Sequence, residues 1–183
     1  GNADDDAGIE IPLVGPLLTA VDGPVGVAWM GALDGRLERP DQAPARIEAG
    51  CSVTLRPGDR LRLGAVRKGV AYLALAGGCR VPPALGSRST YARAGLGGVQ
   101  GHRLQAGDRI PCARVGDDGG AQRRAPPFDH PEGPIRVLPG PQIDAFTPGA
   151  WDTLLQAEYR IARDSDRMGM RLRGSALSHV DAA

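Results

Sequence analysis

Aromatic side chains are scarce, at 4% of 183 residues, and nearly every basic residue is arginine rather than lysine. With 27 glycines and 16 prolines, this composition argues against a helix-rich chain and for short strands cut by many turns. No apolar run approaches the roughly 20 residues of a membrane helix, the longest being "VAYLALA". There is also no basic start followed by an apolar stretch and a cleavage site, so a soluble, cytoplasmic protein is expected. The three cysteines, Cys51, Cys79 and Cys112, are odd in number and lack C-x-x-C spacing, which suits reduced thiols. The 22 Lys and Arg against 21 Asp and Glu leave a formal charge of +1 spread along the chain, which gives no support to a nucleic-acid footprint. Glycine-rich phosphate cradles ahead of a helix are missing. His102, His130 and His179 have no helical ligand partners, so no metal site is expected.

What is present is a globular mixture, 42% hydrophobic and 23% charged, long enough for a real core. From Gly8 to Arg114, short apolar or alternating runs ("IEIPL", "VGVAWMG", "ARIEAGCSVTL", "VAYLALAGG") predict strands. In "SVTLRPGDRLRLG", Val53, Leu55, Leu61 and Leu63 alternate about a Pro-Gly-Asp turn and predict a hairpin. The pattern Leu-x-x-Gly-Asp-Arg-(Leu/Ile) recurs at Leu55–Leu61 and Leu104–Ile110, which two similar turns explain better than a repeat. Gly116–Pro134, rich in Gly, Pro and charge, reads as a linker or long loop. "IRVLPGP" then reads as a buried strand. Thr147 as N-cap and Pro148 at the first position start the one clear helix, with Trp151, Leu154 and Leu155 on a shared face. "YRIA" and "MGMRLRG" read as further strands, Met168, Met170 and Leu172 sharing a face. The chain starts "GNADDDAGIE" without Met and ends "SHVDAA" without a closing element, as an internal fragment would.

Two loops carry candidate chemistry. In "GSRST", Gly86–Thr90, the hydroxyls of Ser87, Ser89 and Thr90 and the guanidinium of Arg88 are donors suited to carboxylate or carbonyl oxygens. The alternative is a tight turn whose hydroxyls satisfy only its own backbone. In "SDRMG", Ser165–Gly169, Asp166 can act as a base or orient Arg167, against the alternative of an exposed turn with a weak local ion pair. "GLGG", Gly95–Gly98, reads as a turn. "LPGPQIDAFT" offers Gln142 and Asp144, the latter near enough to support the helix N-terminus.

Taken in order, "AYLALAGGCRVPPALGSRSTYARAGLGG", "LQAGDRI", "IRVLPGPQIDAFT" and "SDRMGMRLRG" closely resemble the biotin-dependent carboxyltransferase family. That family contains the C subunit of 5-oxoprolinase, the antagonist of a sporulation kinase inhibitor, and the carboxyltransferase region of urea amidolyase. The resemblance covers about Gly1 to Gly174. It implies a mostly β fold of cyclophilin-like β-barrels, the first nearly complete over 1–115 and the second partial over 134–183, joined by 116–133. Family segments with "SGAMD"-like and "TTGGYP"-like motifs are not in this chain. Cys79 with Arg80, His102 and Met170 depart from the family pattern.

The resemblance further implies that the "GSRST" and "SDRMG" loops line a cleft between the barrels. Arg88 and Asp166 would be catalytic, and Ser87, Ser89, Thr90 and Arg167 would bind substrate. The implied activity is that of an ATP-dependent 5-oxoprolinase, in which this chain and subunits A and B together hydrolyse the small cyclic amide 5-oxo-L-proline to L-glutamate. ATP would be bound together with those partners. Two alternatives stand beside it: a carboxyltransferase using carboxybiotin on urea or a related amide, and a non-enzymatic antagonist of a kinase-inhibitor protein.

Overall fold

The computed structural model describes residues 2–112, 123–126, 133–165 and 169–180. The chain separates into two compact units, Gly1–Asp129 and His130–Ala183. Among the described residues no helix is long and apolar enough to cross a membrane.

The first unit is built from two four-stranded antiparallel sheets. Its strands are β1 (Ile9–Ile11), β2 (Leu17–Thr19), β3 (Val25–Met30), β4 (Gly35–Glu38), β5 (Ala45–Ile47), β6 (Ser52–Leu55), β7 (Arg60–Leu63) and β8 (Ala71–Leu75). One sheet runs β1-β8-β3-β6 and the other β2-β7-β4-β5. Alternation along the strands decides their faces. Val25, Val27 and Trp29 of β3 are buried, as are Ala71, Leu73 and Leu75 of β8. Leu61 and Leu63 of β7 turn inward and Arg60 and Arg62 outward. The inward rows of both sheets form a single core cluster.

Trp29 occupies the middle of that core at 1% exposure. Its indole lies where a Cβ on Gly35 of β4 would overlap the ring, so the two sheets meet across a position that admits no side chain. The indole N–H is buried without a hydrogen-bond partner among the described residues. Such an orphaned donor costs roughly 1–3 kcal/mol, which the burial of so large a ring outweighs.

The quoted runs locate β1, β3, β5, β6, β7 and β8, whereas β2 and β4 fall in none of them, and two of the runs need correction. "ARIEAGCSVTL" is two strands in two sheets. The break is a turn in which the Cys51 N–H donates to the Glu48 carbonyl, with Gly50 at φ +82°. The predicted hairpin about Pro57-Gly58-Asp59 does not form either, because β6 pairs with β3 while β7 pairs with β2 and β4. The turn is instead a corner that hands the chain from one sheet to the other. Asp59 holds it: its buried carboxylate accepts the Arg56 N–H at 3.0 Å and Arg39 Nε at 3.2 Å, while its own N–H donates to the Arg56 carbonyl at 2.8 Å. The second copy of the motif repeats this bonding. The Gln105 N–H donates to Asp108 Oδ2 and the Asp108 N–H to the Gln105 carbonyl, with Gly58 at φ +91° and Gly107 at φ +95°. Two like turns account for the echo, as expected.

The expected linker is partly engaged. Arg123 and Ala125 exchange backbone hydrogen bonds with Ser52 and Gly50, adding a short piece beside β6.

In the second unit the helix α1 spans Pro148–Gln156. Thr147 occupies the cap position without a side-chain cap bond, Ala150 is buried, Trp151 and Leu154 are partly covered, and Leu155 is exposed. Asp144 sits in a separate 3-10 turn, Ile143–Ala145, and not in the first turn of α1. "IRVLPGP" is not a buried strand: Ile135 and Leu138 are each 90% exposed and no strand forms there. Its apolar residues therefore mislead an alternation-based reading. β9 (Arg160–Ile161) and β10 (Leu172–Arg173) form a short antiparallel hairpin. Met170 and Leu172 are exposed, so the predicted apolar face is not buried, and Met168 lies outside the described residues. Near the end of the chain, Ser178 and Val180 pair with Thr147 and Ala145, and the His179 ring lies 4.3 Å from that of Phe146.

Two outcomes follow from the core. Gly35→Ala should cost about 1–3 kcal/mol, the range of overpacking; chemical denaturation should show that cost shrinking in a Trp29→Phe background, since the pair shares one contact. Burial, with the nearby Cys112 thiol, pushes Cys79 up to about 11. A thiol that keeps its proton longer when folded contributes stability below its ordinary value near 9, lost as pH rises through 11. Denaturation midpoints across that window should fall less steeply in Cys79→Ala.

Candidate functional site

The "GSRST" loop is held at its root by a strand-like segment. The Cys79 N–H donates to the Ala7 carbonyl and the Arg80 N–H to the Pro111 carbonyl, so residues 79–80 lie between two neighbouring backbones. Val81 is buried, and Pro82 and Pro83 then restrict the chain before it turns. Ala84 and Ser87 exchange two backbone hydrogen bonds, at 2.8 and 3.0 Å, around Leu85 and Gly86. Both central residues have positive φ, 49° and 77°, the type I′ pattern. Glycine takes this readily; Leu85 does so at a cost of about 1 kcal/mol or more, with its side chain 93% exposed at the tip.

Beyond the turn the hydroxyls divide into two kinds. Ser87 Oγ accepts the Ser89 N–H at 3.1 Å, a local bond of the kind a structural turn uses. Ser89 and Thr90 are exposed, and among the described residues their hydroxyls have no hydrogen-bond partner. Arg88 reaches back to the acidic start of the chain, Nη1 donating to the Asp5 carbonyl at 3.0 Å and to Asp5 Oδ2 at 3.3 Å. Arg88 is about a third exposed and Asp5 far more, so the pair is worth at most about 1 kcal/mol. An incoming carboxylate or carbonyl oxygen can take the place of the Asp5 carboxylate.

Two glycines that the sequence shows only as a turn prove to back this loop. A Cβ on Gly97 would overlap the Ser89 carbonyl, and one on Gly98 would overlap the Thr90 hydroxyl. Both residues also have positive φ, 69° and 57°. Tyr91 and Leu96 close the intervening turn with a pair of backbone hydrogen bonds. Asp5 is the other residue missed, since nothing in "DDD" marks one aspartate as the partner of an arginine 83 positions away.

Of the second loop, Asp166 and Arg167 lie outside the described residues. Its base is the β9–β10 hairpin. There the Ala162 N–H donates to the Arg171 carbonyl, Ser165 Oγ bonds both the N–H and the carbonyl of Arg171, and Arg171 Nε lies 3.3 Å from Asp164. Among the described residues no group of three His, Cys, Asp or Glu side chains is arranged to hold a metal.

The family model for the carboxyltransferase domain, subdomains A and B, matches residues 1–182. The C subunit of 5-oxoprolinase from Escherichia coli (strain K12) is 33% identical over 135 residues, 73% of this chain and 43% of that protein. A putative urea carboxylase of Emericella nidulans is 32% identical over 183 residues, 95% of this chain and 14% of that protein. The crystal structure of the K. lactis urea amidolyase superposes with a TM-score of 0.75 at 27% identity, over 98% of this chain and 12% of that one. The chain thus spans less than half the length of each of these proteins.

Substitution at Gly98 tests whether the glycine pair supports the loop. Gly98→Ala should displace Thr90 and lower the melting temperature, whereas Asp5→Asn, which releases only an exposed pair, should shift stability by less than about 1 kcal/mol. Thermal melts of the two variants side by side check this.

Proposed function

The chain belongs to the carboxyltransferase domain family, subdomains A and B, and from that membership we propose that it is part of a 5-oxoprolinase subunit. With subunits A and B, or their equivalents, it would open 5-oxo-L-proline to L-glutamate at the expense of ATP. The observation that carries this reading is the "GSRST" loop, where the Arg88 guanidinium and the hydroxyls of Ser89 and Thr90, unpartnered among the described residues, stand on one hydrogen-bonded turn.

In lactam hydrolysis the ring C–N bond breaks, the oxygen of water bonds to the carbonyl carbon, and the nitrogen leaves with a proton. Negative charge gathers on the carbonyl oxygen as this happens, and fixed donors that meet that charge lower the barrier. Arg88 would hold the ring carboxylate or the carbonyl oxygen, releasing Asp5, while Ser89 and Thr90 donate beside it. Ser87 belongs to the proposed binding set through its bond to the Ser89 N–H, which fixes the loop. Asp166 as base and Arg167 as a second cation enter from the family resemblance alone. ATP would enter as co-substrate: its terminal phosphoryl group would pass to the amide oxygen with ADP leaving, and phosphate would depart as water opens the ring. The loop is a poor triphosphate cradle, because the N–H groups of Ser87 and Ser89 are already committed to Ala84 and Ser87. On this reading ATP is held with the partner subunits.

A second reading is favoured by the superposition on urea amidolyase along nearly the whole chain. There the same donors would hold the carbonyl oxygen of urea while a carboxyl group is transferred from carboxybiotin on a partner domain.

The full-length protein, co-purified with its partner subunits, should release glutamate from 5-oxoproline in an ATP-dependent manner. Arg88→Ala should lower that rate by about 100-fold or more while the complex stays assembled by size-exclusion chromatography. Activity unchanged by the substitution would return the loop to a structural turn. An intact complex that turns over urea but not 5-oxoproline would select the second reading.

A further inference from the structure

The outward face of the β2-β7-β4-β5 sheet carries an arrangement that neither folding nor the proposed reaction requires. Arg36 of β4 is the direct cross-strand partner of Arg46 on β5 and of Arg62 on β7. Three arginines therefore stand in one row across three strands, all exposed on the same face. Directly opposed like charges destabilise a sheet, so this row opposes the fold it sits on.

Two nearby carboxylates offset part of the charge. Asp34 lies 2.9 Å from Arg46 and 2.7 Å from Arg67, and Glu38 lies 3.4 Å from Arg62 and 3.8 Å from Arg60. Four arginines thus share two carboxylates, and a fifth, at the centre of the row, takes part in neither: among the described residues Arg36 has no hydrogen-bond or ion-pair partner. The row also borders a concave surface. A groove of about 390 Å³ is lined by Asp34, Gly35, Arg36, Pro44, Arg46 and Arg62, with Gly64 beside them. The groove is shallow and largely open to solvent, so a ligand there would be held by the arginine forks and not by enclosure.

We propose that the Arg46–Arg36–Arg62 row and its groove bind a small anion carrying two linked phosphoryl groups. Charge density decides between phosphate and carboxylate. A ligand carboxylate would only match what Asp34 and Glu38 already offer, whereas a phosphoryl group carries about −1.5 to −2 charge and three acceptor oxygens. Guanidinium forks meet such oxygens in pairs. Span decides the number of groups. Adjacent strands are about 4.8 Å apart, so the row extends over roughly 10 Å, more than one phosphoryl group covers. This inference does not rest on the 5-oxoprolinase reading, whose loop lies elsewhere on the first unit.

Calorimetric titration of the full-length protein with pyrophosphate at low salt tests it. Wild type should bind, Arg36→Gln should weaken binding by about 10-fold or more, and Arg109→Gln, at an exposed arginine outside the row that lies 3.8 Å from Asp22, should leave it unchanged. Without ligand, Arg36→Gln should melt at or above the wild-type temperature, since it removes like-charge repulsion, and should lose the rise that pyrophosphate gives wild type. No binding by wild type, equal binding by wild type and Arg36→Gln, equal losses at Arg36 and Arg109, or citrate binding as tightly as pyrophosphate would each overturn the proposal.

Discussion

The first unit depends on one steric relation, the indole of Trp29 lying against the bare backbone of Gly35. A chain with so few aromatics has few large groups with which to fill a space between two sheets. The tryptophan fills it only because β4 contributes no side chain at the opposing position. The arrangement has a defect built in, since the indole N–H finds no acceptor among the described residues. The surrounding aliphatic rows of β1, β7 and β8 are packed at 0–8% exposure, which explains how a buried unpaired donor is tolerated: the alternative is a void at the centre of the core.

The existence of β3, β6, β7 and β8 was legible because alternation is a local signal, whereas it did not mark out β2 or β4. Pairing was not legible, because it depends on residues far along the chain. Val53, Leu55, Leu61 and Leu63 show the right period for a hairpin, and the Pro-Gly-Asp between them is a genuine turn. Yet the direction of that turn is set by the buried carboxylate of Asp59 and its bond to Arg39 on another strand's end, which periodicity cannot reveal. In the second unit the apolar letters of "IRVLPGP" are exposed. Hydrophobicity alone does not say whether a partner surface exists.

The candidate site shows the same division. Residue chemistry was readable in "GSRST", while the left-handed turn at Leu85 and Gly86 emerged only in the fold. What the letters could not separate was a hydroxyl spent on its own loop from one left available. Ser87 is the first kind and Ser89 and Thr90 are the second, a distinction set by loop geometry. Asp5, and the close approach of Gly97 and Gly98, required the fold to bring distant segments together. The arginine row is subtler still: Arg36, Arg46 and Arg62 sit on three separate strands, and only the register makes them neighbours.

The sheet order has a kinetic meaning. Of the strand pairings among the described residues of the first unit, only β4 with β5 joins strands that follow each other in the chain, while β1 must wait for β8 and β2 for β7. Loop closure of that length is slow, as in other folds dominated by distant contacts. During synthesis, Trp29 and its neighbours leave the ribosome long before Leu73, which pairs with both Ile9 and Trp29, has been added. A nascent chain stalled ahead of β8 would therefore present unpaired strand edges and an uncovered core, which makes this stretch the point at which chaperone capture or aggregation competes with folding.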